Sequence, residues 1–264
     1  MFLKCYSKNA FTLAEVLKLF PRPLGRGLGR GVKAFTLAEV LITLGIVGVV
    51  ASLTMPSIIK HYQHKALEAS FKKSYANLYN ALNKAMIDSP EIKRADDSVG
   101  YPPIADAILK EYKKIKDIDS NDRIKYIENV RTYTKSKGVK PECSQVHLHA
   151  TLPDGSAIGF YHNCSQVWVS MDTNGLHKSP NAYGHDYFLF NITDEGKLIP
   201  AIDESEGNYD ENGNRTEGYN RSEEAINKCS LTSQSRLNGI LCANYALQNK
   251  CPYDENKTYW ECLP

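Results

Sequence analysis

Residues 35–59 read FTLAEVLITLGIVGVVASLTMPSII, a run of 25 residues with a single charge, Glu39. A helix of that length and composition can cross a bilayer core of ~30 Å. The charges around it are lopsided. Residues 1–34 hold seven Lys or Arg (Lys4, Lys8, Lys18, Arg22, Arg26, Arg30, Lys33) against Glu15, and this +6 leaves −4 for the rest of a chain whose formal net charge is +2. Lys60, His61 and Lys65 come only after the run. Positive-inside bias therefore puts the N-terminus in the cytoplasm and residues 60–264 outside. A cleaved secretory signal is the rival reading, with Ala51-Ser52 as its weak peptidase site. Such a signal has a shorter apolar stretch and no acid inside it.

Glu39 is the informative residue. An unpaired carboxylate in an apolar span costs roughly 2.5–3.5 kcal/mol on insertion scales, unless it snorkels to an interface or meets a partner. Its context is KAFTLAE over residues 33–39: a base, a small residue, Phe35, and the acid four positions later. This resembles the processing motif of type IV prepilins and type II secretion pseudopilins. With Gly45, Gly48 and Pro56, the resemblance spans about residues 31–60. The family usually carries Gly before the Phe, where this chain has Ala34.

The resemblance implies that a prepilin peptidase cuts between Ala34 and Phe35, and that the new Phe35 amine is N-methylated. It implies that Glu39 acts in assembly by pairing with the Phe35 amine of a neighbouring subunit. Two costly groups would then compensate each other and set the axial register. The implied partners are the peptidase, other pilin or pseudopilin subunits, the inner-membrane assembly machinery and the lipid bilayer. The implied location is the bacterial inner membrane, single-pass, and then a periplasmic or cell-surface filament. The implied fold is α+β and pilin-like: a long N-terminal helix packed on a small antiparallel sheet, with a disulfide-fastened C-terminal region. Pro56 lacks an N–H and is expected to kink or locally melt the helix.

Four segments follow: a basic leader over 1–34, a membrane and assembly helix over 35–59, its amphipathic continuation over 60–88, and an extracytoplasmic head over 89–264. In the leader, residues 10–17 repeat residues 34–41 letter for letter, but the KLFPRP that follows cannot span a membrane. That copy reads as a relic or as the product of an upstream start codon. Beyond Pro56, Leu67, Phe71, Tyr75, Leu78, Leu82 and Met86 recur at steps of three and four, a helical stripe. Asp88-Ser-Pro90 is the stop. One helix over 35–88 would be about 81 Å long at ~1.5 Å per residue. A membrane anchor followed by a juxtamembrane coiled coil fits the same pattern.

In the head, helices are expected near 102–116 and 121–136. Strands are expected over Ser144–Leu152, Ala157–Asn163, Gln166–Met171, Tyr187–Ile192 and Lys197–Pro200, separated by turn residues. His147 and His149 share a strand face, with His162 expected opposite His147. They read as a solvated polar face rather than a metal site. Residues 203–224 hold eight acids and no aliphatic residue, which reads as a mobile acidic loop.

Seven cysteines become an even six once Cys5 leaves with the leader: Cys143, Cys164, Cys229, Cys242, Cys251 and Cys262. An even set in an exported head reads as a disulfide framework. Proximity favours Cys143–Cys164, Cys229–Cys242 and Cys251–Cys262 among the pairings the six allow. The stretch 172–188 looks like a loop of pseudopilin heads, some of which bind calcium. Asp172, Asn174, Asn181 and Asp186 are its hard oxygen donors. Turn chemistry, with Asx side chains capping their own backbone, accounts for the same residues. The EF-hand start at Asp210 fails, because Arg215 and Arg221 stand where Gly and Glu are required.

No hydrolase, metalloprotease, P-loop or dinucleotide fingerprint occurs, so no enzyme and no other cofactor is expected. A net charge of +2 gives no ground for a nucleic-acid partner. Two functional readings stand: a filament subunit, and a single-pass anchored binding or adhesin protein that does not assemble.

Overall fold

The structure, a computed structural model, describes residues 35–90, 99–112, 115–136, 138, 147–163, 166–193, 195–201 and 229–264. The leader with Ala34, Cys143, Cys164, the acidic loop and the EF-hand-like start lie outside the described residues.

Helix α1 covers Leu37–Asp88. In its first part the apolar side chains are exposed all round, among them Leu41, Ile42, Leu44, Ile46, Val47, Val49 and Val50. Its most apolar stretch has a mean hydropathy of 2.1 and none of it is buried. A helix apolar on every face has no polar side to turn to water. The helix continues through Pro56, so the local melting expected there does not occur. A single proline frees one carbonyl and leaves the bonds of the flanking turns in place.

In its later part α1 becomes one-sided. Leu67, Phe71, Leu78 and Leu82 are buried along the expected stripe, and Ser74, Ala81 and Ala85 widen it. Tyr75 and Met86 are half-buried beside it. This stripe shares one core with the sheet.

That sheet is antiparallel throughout. Its strands are β1 (Val99–Gly100), β2 (Lys116–Asp117), β3 (Ala150–Thr151), β4 (Ala157–Asn163), β5 (Gln166–Asp172), β6 (Tyr187–Ile192) and β7 (Leu198–Pro200). The order is β2-β3-β4-β5-β6-β7, with β1 also pairing with β4. Short β1 and β3 share one edge of β4: β1 meets His162 and Asn163, and β3 meets Ala157 and Ile158. Phe188, Phe190 and Ile192 of β6 lie opposite Met171, Val169 and Val167 of β5. These side chains form one core with Leu67, Phe71 and Leu82. Phe71 touches Phe188 and Trp260, with centroids 4.5 and 5.4 Å apart. The other sheet face, Tyr187 and Leu189, packs with Tyr126, Val130, Tyr183 and Ile240 in a second cluster. Both faces of β6 are therefore covered, and all six of its residues are buried.

The head helices are shorter than expected. Helix α2 is Ile104–Lys110 and α3 is Ser120–Asn129. The Asp119 side chain accepts from the Asn121 N–H to start α3. Val130 is extended, and the next backbone groups pair elsewhere: Arg131 N–H donates to Asn181 O and Tyr183 N–H to Arg131 O. Tertiary pairing thus ends α3 seven residues before the expected limit. Of the strand expected over Ser144–Leu152, residues 144–146 lie outside the described residues, and among the rest only Ala150–Thr151 form a strand. The N–H of Phe160 donates to Nδ1 of His149 instead of to a carbonyl, which interrupts the ladder. A last helix, α4, covers Ala243–Gln248.

Candidate functional site

Two regions bring the sequence-derived candidates together: the start of α1, and the loop between β5 and β6.

At the start of α1, Thr36 and Glu39 form a reciprocal pair. Glu39 Oε2 accepts from the Thr36 N–H at 2.8 Å and from Thr36 Oγ1 at 2.9 Å. Thr36 Oγ1 accepts from the Glu39 N–H at 3.2 Å. This is a capping box, in which two orphan donors of the first turn are satisfied together. The Thr36-x-x-Glu39 spacing is itself a sequence signature of such a cap. Phe35, one residue before, is 85% exposed. Among the described residues nothing engages Glu39 Oε1. A second capping box closes the tail, where Glu261 Oε2 accepts from the N–H and Oγ1 of Thr258.

In the β5–β6 loop, Asp172 and Asp186 are both fully buried. Asp172 Oδ1 accepts from the N–H groups of Asn174 (3.1 Å) and Gly175 (2.6 Å), and its Oδ2 accepts from the Tyr126 hydroxyl at 2.6 Å. Asp186 accepts from the N–H groups of Asn181 and Ala182, each at 2.8 Å. These bonds draw the loop closed between adjacent strands. Burial pushes both carboxyls above the usual carboxylate range, and the charge of Asp172 raises Asp186 further. Asn174 Nδ2 donates to Ser179 O, whereas the buried Oδ1 atoms of Asn174 and Asn181 meet no donor among the described residues.

The structure therefore places all four calcium candidates in one loop. Two buried carboxylates and two amide oxygens without donors are the oxygen ligand types that a hard cation takes. Turn chemistry is present as well, since each carboxylate caps loop N–H groups. Among the described residues no three His, Cys, Asp or Glu side chains come together, so a cation here would depend on the asparagines.

The histidines differ from expectation. The ladder pairs Ala150 with Ile158 and Thr151 with Ala157, one residue off the pairing that would set His147 opposite His162, and it stops before His147. The rings of His147 and Tyr161 stack with centroids 4.3 Å apart. A one-residue slip in an antiparallel pair exchanges the two faces. Neither His147 nor His149 is a solvated ligand. His149 sits edge-on to Tyr101 and lines a cleft of about 690 Å³ with Tyr101 and Arg123. Burial, then the charge of Arg123, pushes its imidazole down to about 4. This cleft was not foreseen, because its walls come from α2, α3 and β3 and share no spacing in the chain.

Two disulfides fasten the C-terminal region, Cys229–Cys242 and Cys251–Cys262. Cys242 and Tyr133 both lie against Gly184, so the first bridge also braces the β5–β6 loop. Compared with known proteins, the chain matches no protein-family model, no curated protein and no solved structure.

Proposed function

We propose that the chain is a structural subunit of a bacterial type IV pilus-like or type II secretion filament, cut before Phe35 and N-methylated there. One observation carries the reading. A helix with apolar side chains exposed on every face opens with a single carboxylate, Glu39, four residues after the would-be N-terminal Phe35. Such a surface calls for a bilayer or a bundle of like helices. One Glu39 oxygen caps its own helix, and the other remains for the amine of a neighbour. The packing of the later part of α1 on a small sheet supports the pilin-like layout.

Mass spectrometry of the mature N-terminus tests the processing. A chain beginning at N-methyl-Phe35 is expected, and one beginning near Leu53 would mean ordinary secretion. Assembly is tested with Glu39→Gln and Glu39→Val. Gln can still close a capping box but carries no charge, whereas Val does neither. Removing one member of a buried pair costs ~3–5 kcal/mol, so both variants should be processed and then stay in the membrane fraction. Normal incorporation of the Gln variant as sole subunit would reduce Glu39 to a cap.

The cleft beside His149 favours a second reading, a membrane-anchored binding protein outside any filament. Recovery of the mature protein in sheared filaments decides against it.

A further inference from the structure

Immediately after the apolar run, Lys60, His61, His64 and Lys65 stand at steps of three and four on one face of α1. They face Trp260 and Glu261 of the C-terminal tail across a cleft of about 230 Å³. Positive-inside bias disfavours basic residues on the translocated side of a span, so a cluster here asks for a reason. Lys65 is paired with Glu68 at 3.0 Å. Lys60 has no ion pair among the described residues, and Lys135 adds its charge near His64. Glu261, which keeps its charge while it accepts from Thr258, and Glu68, which is shared between Lys65 and Lys72, offset part of the cluster's charge and leave Lys60 unpaired. Trp260 is 1% exposed, packed against Phe71 and Tyr259, and its buried indole N–H meets no acceptor among the described residues.

We propose that this cleft binds the phosphate of an anionic membrane phospholipid in the outer leaflet, held by Lys60, His61 and Lys65 against Trp260. A phosphodiester supplies the acceptor oxygens that Lys60 lacks, and Lys65 and His61 line the same cleft. Residues 35–59 as a span would place Lys60 at the headgroup layer. Exposed Ile58 and Ile59 offer the acyl chains an apolar edge. Juxtamembrane lysines each contribute to anionic lipid attraction, and a walled cleft adds selectivity that a bare lysine pair lacks. The inference rests on the membrane reading of residues 35–59 but not on filament assembly.

The test uses the full chain in detergent, titrated with short-chain phosphatidylglycerol or phosphatidylcholine and read by native mass spectrometry. One bound phosphatidylglycerol is expected, at least about tenfold tighter than phosphatidylcholine, and lost in Lys60→Gln/Lys65→Gln but kept in Lys125→Gln/Lys197→Gln. Equal binding of the two lipids would overturn the proposal, and so would an unaffected double variant. Displacement by glycerol 3-phosphate at the concentration of the lipid would assign the site to a free phosphate instead and would also overturn it. Alkaline carbonate extraction of the same proteins reports the span separately. An extractable wild type defeats the membrane reading, while intact extraction resistance with no lipid preference defeats the cleft alone.

Discussion

A Cβ placed on Gly159 would lie 1.1 Å from the His147 carbonyl oxygen. No side chain fits at that position in β4, and the obstacle is backbone rather than a mobile side-chain tip. The same carbonyl accepts from Ser170 Oγ at 2.9 Å, so the 147–149 segment is drawn onto the sheet from two strands. Gly159→Ala must therefore displace that segment. Overpacking typically costs ~1–3 kcal/mol, and this clash belongs at or above the upper end. Thermal melting of the purified protein should show the loss, while Gly45→Ala, where nothing lies within 4 Å, should leave the melting unchanged.

His149 makes acid stability readable. Its Nδ1 accepts from the Phe160 N–H at 3.1 Å, which requires an unprotonated nitrogen. Burial first, then Arg123 and His147, lower the imidazole to about 4, against an ordinary value of 6.5. Between those two values the unfolded chain holds more protons than the folded one, so stability rises with pH. The contribution is intact above about 6.5 and is lost as the pH falls toward 4. After discounting for partial exposure it is on the order of 1 kcal/mol. His149→Asn keeps an acceptor without the titration. Urea unfolding at pH 7.5 and pH 5 should show a smaller difference for this variant than for the wild type.

Asp172 and Asp186 are both buried, and burial together with the charge of Asp172 raises Asp186, so a cation bound beside them would stabilise the folded state. Calcium should therefore raise the melting temperature near pH 7.5. A ligand at 100 times its Kd contributes about 2.7 kcal/mol, roughly 5–10 °C for a head of this size. At pH 5 protons compete for the same oxygens and the rise should shrink. Asn174→Ala/Asn181→Ala removes two of the donors and should abolish the rise at pH 7.5. No shift with calcium in the wild type would leave the loop closed by its N–H caps alone.

The two bridges close short loops, with cysteines 13 and 11 positions apart. A loop of about that length is worth ~3 kcal/mol in the chain-entropy account. Cys251→Ala/Cys262→Ala should lower stability by about that much in guanidinium unfolding. Trp260 lies inside this loop, so its fluorescence should shift to longer wavelength in the native state of the variant. An unshifted spectrum would mean that packing against Phe71 holds Trp260 without the bridge.

What the sequence alone determined about this protein is what depends on near neighbours in the chain. The apolar run from 35 to 59 and the 67–82 stripe are visible because helical periodicity repeats every few residues. Ala157–Asn163 and Tyr187–Ile192 are strands at the expected limits because turn residues bracket them. The cap of Thr36 by Glu39 is equally local, three residues apart in the chain. The tertiary structure decided the rest. The stack of His147 on Tyr161 belongs to a segment where a side chain, His149, takes a ladder hydrogen bond. The end of α3 depends on backbone partners some fifty residues away, at Asn181 and Tyr183. The burial of Asp172 and Asp186, and the walls of the clefts beside His149 and Trp260, arise where distant segments meet. Desolvation acts on positions in space, and no spacing along the chain records it.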